Sequence, residues 1–116
     1  MSKKANQLTN QIIDYIYKNG GYSWKQNSGG VYDKNIGIFR TGAKKGISDI
    51  LGIYKGKFIA CEVKIGKDHL SPEQIGFLRN VEHAGGISIV AKDFIGFQEE
   101  WNKKVIHTSL PLDIVP

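Results

Sequence analysis

Two short apolar runs, residues 49–54 and 58–65, stand on either side of Lys55-Gly56-Lys57. Both carry isoleucine, valine or aromatic side chains, and the segment between them has room only for a tight turn, so the pair predicts a β-hairpin. The flanking segments follow other periods. Leu8, Ile12, Tyr15 and Ile16 recur at helical spacing within residues 5–18, with Gln7, Gln11, Asp14 and Lys18 as a polar stripe, and Asn19-Gly20-Gly21 ends that helix. Aromatic and polar residues alternate from Tyr22 to Asn27, which predicts a strand that Ser28-Gly29-Gly30 breaks. A short strand is expected at 36–39, followed by a flexible basic loop at 40–46.

Ser71-Pro72-Glu73-Gln74 has the form of a helix start: serine at the N-cap, proline at the first helical position, glutamine at the third. The helix is expected to reach Ala84 and stop at Gly85-Gly86. Residues 87–90 read as a buried strand, and Asp93 caps a last helix through Trp101 and Asn102. The tail at 107–116 is assigned no element. The order α, several β, α, β, α predicts an α/β fold with a central mixed β-sheet flanked by α-helices.

A chain of 116 residues, 41% of them hydrophobic, is expected to form a single domain, 1–116, around one core. No apolar run is long enough to span a bilayer, and the basic start Met1-Ser2-Lys3-Lys4 leads into no apolar segment of the kind a signal peptide needs. One cysteine, Cys61, permits neither an intrachain disulfide nor a cysteine zinc cluster, so a cytoplasmic setting is expected.

The net charge of +5 is unevenly placed. Between Lys34 and Lys67 lie eight basic residues and two acids, Asp49 and Glu62, whereas the rest of the chain has eight basic and nine acidic residues. Such a basic segment suits a phosphate backbone. In the hairpin Asp49 begins one strand, Glu62 lies near the end of the next, and Lys64 follows two residues later on the same face. Antiparallel pairing would bring all three to one edge. Two carboxylates with open positions make a hard-oxygen site suited to Mg²⁺ or Mn²⁺. The plain alternative is a surface Glu–Lys pair with Asp49 capping a turn.

Gly46-Ile47-Ser48-Asp49-Ile50, Cys61-Glu62-Val63-Lys64, Ser71-Pro72-Glu73-Gln74 and Gly85-Gly86 together resemble the virus-type replication-repair nuclease (VRR-NUC) domain of the PD-(D/E)xK superfamily. The upstream Trp24-Lys25-Gln26-Asn27-Ser28-Gly29 adds to the likeness, which runs from the first helix to about Lys92. The resemblance implies the restriction-endonuclease-like fold. It also implies a DNA endonuclease that cuts with metal-activated water to leave 5′-phosphate and 3′-hydroxyl ends. Stand-alone members of this size occur in phages and bacteria, resemble Holliday-junction resolvases and act as dimers. Branched double-stranded DNA is therefore the expected partner, a homodimer the expected assembly, and Mg²⁺ or Mn²⁺ the expected cofactor. A flap, nick or unspecific nuclease of the same fold, and a non-catalytic DNA-binding module, are the alternatives.

Carried over by position, Asp49, Glu62 and the main-chain carbonyl of Val63 would hold the metal. Lys64 would be the catalytic lysine, and Gln74 the glutamine facing the site. Gln74 also suits a capping box, and the two roles are compatible. Gln7 stands where the family often has glutamate, which favours a single metal ion. Lys25 stands where arginine is frequent, which keeps phosphate contact without bidentate geometry. Arg40, Lys44, Lys45 and Lys67, with Asn27, are the remaining candidates for contact with the DNA backbone. Cys61 is expected on the opposite face as a small core residue, and the final helix is expected to offer Phe94, Phe97 and Trp101 to the core or to a dimer interface.

Overall fold

The computed structural model describes residues 1–26, 30–41 and 44–114, with side chains described outside 30–32, 39–41 and 107–114. Helix α1 (Lys3–Lys18) is followed by β1 (Tyr22–Lys25), β2 (Gly30–Asp33), β3 (Ile38–Thr41), β4 (Ile50–Tyr54), β5 (Lys57–Val63), α2 (Pro72–His83), β6 (Ile87–Ala91) and α3 (Phe94–Ile114). The main sheet has the order β1-β4-β5-β6. Its first two pairings are antiparallel and the β5–β6 pairing is parallel. A parallel neighbour needs a crossover, and α2 supplies it while covering one face of the sheet. This is the α/β architecture expected, a mixed sheet flanked by helices.

The predicted hairpin is present. Tyr54 pairs with Lys57, so Lys55 and Gly56 alone form the turn. Both have positive φ, 48° and 78°, the signature of a type I′ turn whose twist matches the flanking strands. That turn sets the register Ile50↔Cys61. One step further out, Asp49 lies opposite Glu62.

The strand period then sorts β5. Ile59, Cys61 and Val63 face α1 and α3, where they join Ile12, Ile16, Ile50, Ile89, Phe97 and Trp101 in the larger core. Ala60 faces α2 in a smaller cluster with Leu51 and Leu78, against which Trp24 and Phe77 pack. Cys61 is thus a buried core residue, as expected.

Three expectations are corrected. Residues 30–33 form β2, an antiparallel partner of β3 in a separate two-stranded sheet, where Ser28-Gly29-Gly30 predicts a break. The β3 strand begins at Ile38, because Asp33 folds residues 34–37 into a turn by accepting the Asn35 amide on Oδ1 and the Gly37 amide on its carbonyl. Helix α3 continues to Ile114, past Asn102, since Val105 extends the Phe97–Trp101 stripe and packs on the same core. At its start Asp93 accepts the Gly96 amide at 2.6 Å, the cap foreseen.

Candidate active site

Ile50↔Cys61 pairing places Asp49 and Glu62 at the same end of the sheet, on the side where α2 begins. A cleft opens there, lined by Lys25, Gln26, Asp49, Glu62, Val63, Lys64, Asp68 and Gln74, with Met1, Ser2 and Ala5 of the α1 end. Asp49 Oδ2 accepts the Val63 amide at 2.8 Å, which locks the carboxylate against the strand carrying Glu62. Val63 sends its side chain into the larger core, so its contribution to the cleft is main chain.

Glu62 is 1% exposed. Gln74 Nε2 donates to its Oε1 at 3.0 Å. The other end of the same amide, Oε1, accepts from the Ser71 amide at 2.9 Å, while Ser71 Oγ accepts from the Gln74 amide at 3.1 Å. Gln74 therefore closes the capping box and holds Glu62 at once, and the two roles weighed from the sequence coexist. Glu62 Oε2 and the neighbouring Ser48 Oγ are buried without a hydrogen-bond partner. Burial, and next the adjacent Asp49 carboxylate, push the Glu62 carboxyl up to about 8, against a smaller downward pull from the Lys64 ammonium. A buried carboxylate oxygen without a donor is costly, and a cation is its natural partner. The donor set of Glu62 Oε2, the Asp49 carboxylate and a main-chain carbonyl is all hard oxygen and fits Mg²⁺ or Mn²⁺. Among the described residues no group of three or more His, Cys, Asp and Glu side chains is gathered as a metal cluster.

Positioning depends on one glycine. Gly46 has a φ of 80°, and a Cβ there would collide with the main-chain carbonyl of Glu73. Its bare backbone lets the segment entering Ser48-Asp49 rest on the first turn of α2, which carries Gln74. Lys45 adds an ion pair to Glu73 at 3.4 Å, largely exposed to solvent and so a small contribution.

The remaining expected residues divide. Lys25 reaches the cleft and donates to Asn6 Oδ1 at 3.1 Å. Lys44, Lys45 and Lys67 are exposed outside it. Gln7 is exposed and does not line the cleft; Ser2 and Ala5 hold the place on α1 that it was expected to take. Arg40 lies on β3 with its side chain outside the described residues, as Asn27 is altogether.

Besides Met1, Ser2 and Ala5, the cleft holds Gln26 and Asp68, which sequence reasoning also missed. Gln26 follows Tyr22 and Trp24 by strand alternation, and its amide donates to the Asp49 carbonyl at 2.7 Å, so the period that predicted β1 also pointed to it. Asp68 sits in the loop before α2, where no periodicity marks it.

No protein-family model matches the sequence, and no curated protein matches it. Among solved structures the chain is similar to Hjc, a Holliday junction resolvase of the archaeal hyperthermophile Archaeoglobus fulgidus. The TM-score is 0.52 and the identity 18%, over 76% of this chain and 67% of that one. At that identity the likeness establishes the fold, which is the restriction-endonuclease-like fold with its mixed four-stranded sheet between helices.

Proposed function

We propose that the protein is a metal-dependent DNA endonuclease of the VRR-NUC type, resolving four-way junctions as a homodimer. The observation that carries this reading is the convergence of Asp49, Glu62 and Lys64 in one cleft, with Glu62 Oε2 buried and unpartnered. Surface residues capping turns would not be desolvated in this way.

Asp49, Glu62 and the Val63 carbonyl would hold Mg²⁺ or Mn²⁺, which supplies an activated water and offsets charge on the attacked phosphodiester. Lys64 lines the cleft, and its ammonium would offset charge on the phosphate there. Gln74 keeps Glu62 from turning away. Lys25 holds a neighbouring phosphate, with Lys44, Lys45, Lys67, Arg40 and Asn27 along the flanking backbone. Gln7 stays outside the metal set. The Hjc fold, belonging to a protein that acts on Holliday junctions, supports the substrate, and a two-fold dimer supplies the paired incisions that a four-way junction requires.

The test is cleavage of a labelled four-way junction beside linear duplex and flap, with Mg²⁺, Mn²⁺ or EDTA, by wild type and Glu62→Gln. Symmetric, cation-dependent incision of the junction lost in the variant is expected. Preferred incision of flap or linear DNA would overturn the substrate. Salt-sensitive binding without incision of any DNA would make the chain a binding module.

A further inference from the structure

Helix α2 does not end at the cleft. Its second half forms a wall of a separate cavity of about 470 Å³, between Phe77, Asn80 and Val81 on the helix, Lys57 and Phe58 at the start of β5, and Lys44. Phe58 is 40% exposed, and Asn80 is exposed as well. Among the described residues the charged side chains lining the cavity are Lys44 and Lys57, with no carboxylate beside them. Two aromatic rings, an amide able to donate and accept, and two cations suit a flat heteroaromatic ring carrying an anion.

The cavity shares no lining residue with the proposed active site, but both lie along α2. Gln74 lies in the cleft and Val81 in the cavity, about 10 Å apart along the helix at 1.5 Å per residue. That span is about three base steps of stacked duplex DNA. Lys44, at the cavity, adjoins Lys45, whose ion pair with Glu73 ties this segment to the first turn of α2.

We propose that this cavity receives the base of an unpaired nucleotide belonging to the strand whose phosphodiester lies in the cleft. A base within a duplex shows a protein only its edges, whereas an aromatic cavity takes its faces, so the base must be out of the stack. Lys44 and Lys57 hold the adjoining phosphates, and Asn80 meets the base edge. The protein would thereby select DNA with an unpaired or readily unpaired base within about three steps of the incision. The inference rests on the nuclease reading for the strand involved, but capture of the base needs no cleavage.

The test places 2-aminopurine at successive positions around the branch point of a four-way junction and follows its fluorescence on binding in EDTA. Wild type, Phe58→Leu and Asn80→Ala are compared, with junction cleavage in Mg²⁺ run in parallel. Phe58→Leu keeps an apolar side chain at a half-exposed position, and its melting temperature reports whether it folds. A fluorescence change confined to one or two positions, lost in Phe58→Leu and weakened about tenfold in affinity in Asn80→Ala, is expected. Equal changes at all positions, or a signal indifferent to Phe58→Leu, would overturn the assignment and leave the cavity for a protein partner. Cleavage without the positional signal removes the cavity's role and spares the nuclease; the signal without cleavage under any cation does the reverse.

Discussion

The two faces of the β-sheet are built from the same strands for different ends. On the α1/α3 face, β5 contributes Ile59, Cys61 and Val63 to a core that includes Phe97 and Trp101, with Tyr15 edge-on to both rings, Tyr54 edge-on to Trp101 and Phe94 stacked on Phe97. On the α2 face the same strand shows Phe58, Ala60 and Glu62 in turn: half-exposed, core and cleft. Cys61 and Glu62 are adjacent in sequence and both buried, yet one meets hydrocarbon and the other a carboxylate and an amide. The lesson is a division of labour. A small domain that concentrates its apolar burial on one face can leave a buried, poorly satisfied carboxylate on the other without unfolding.

Stability measurements offer the sharpest way to break this contrast. Phe97→Ala, in the larger core, should cost about 3–5 kcal/mol, and Leu78→Ala, in the smaller, about 2 kcal/mol. Urea denaturation of both variants checks the order, and an inverted order would show that the α2 face carries the fold.

Glu62→Gln should lower cation-dependent cleavage at least about a hundredfold while the melting temperature at pH 8 stays level or rises, since the variant removes a buried charge. A loss of activity matched by a loss of folding would make Glu62 structural.

The pH dependence follows from the same group. Its folded-state carboxyl sits near 8, above the 4.5 of the unfolded chain, so folding favours the protonated form. This contribution is fully present below about 4.5 and is lost as pH rises through about 8. Without divalent cation the wild-type melting temperature should therefore decline between these limits, by an amount equivalent to a few kcal/mol at most. Saturating Mg²⁺ should flatten the decline by binding the ionised form, and Glu62→Gln should lack it. Calorimetry across pH with and without EDTA decides the matter.

The smallest effect concerns surface cations. Lys25→Ala and Lys45→Ala should each reduce the salt slope of DNA binding by about one and weaken binding almost equally for all sequences. A change confined to one DNA sequence would contradict their role as phosphate contacts.

Much of the site was legible because short-range rules determine it. A tight turn at Lys55-Gly56 brings Asp49 level with Glu62, and a Ser-Pro-Glu-Gln start places Gln74 on the turn of α2 that faces them. What stayed hidden depends on partners distant in sequence. The β2 strand gains order only by pairing with β3, and a glycine at its start disguised it. Ser2, which caps α1 by accepting the Ala5 amide, offered no glutamate or glutamine at the third helical position to advertise a capping box. Gln7 was placed by analogy with a family position, but the helical phase of Leu8, Ile12 and Ile16 turns it toward solvent.

The shared amide of Gln74 has a kinetic consequence. The first turn of α2 cannot fray without releasing Oε1 from Ser71, and Nε2 from Glu62 moves with it. Opening of a helix end, ordinarily a local and frequent event, is here tied to the freedom of a buried carboxylate. The amide hydrogens of residues 74 and 75 thus become slow-exchanging reporters of what occupies the cleft, readable in the absence of any substrate turnover.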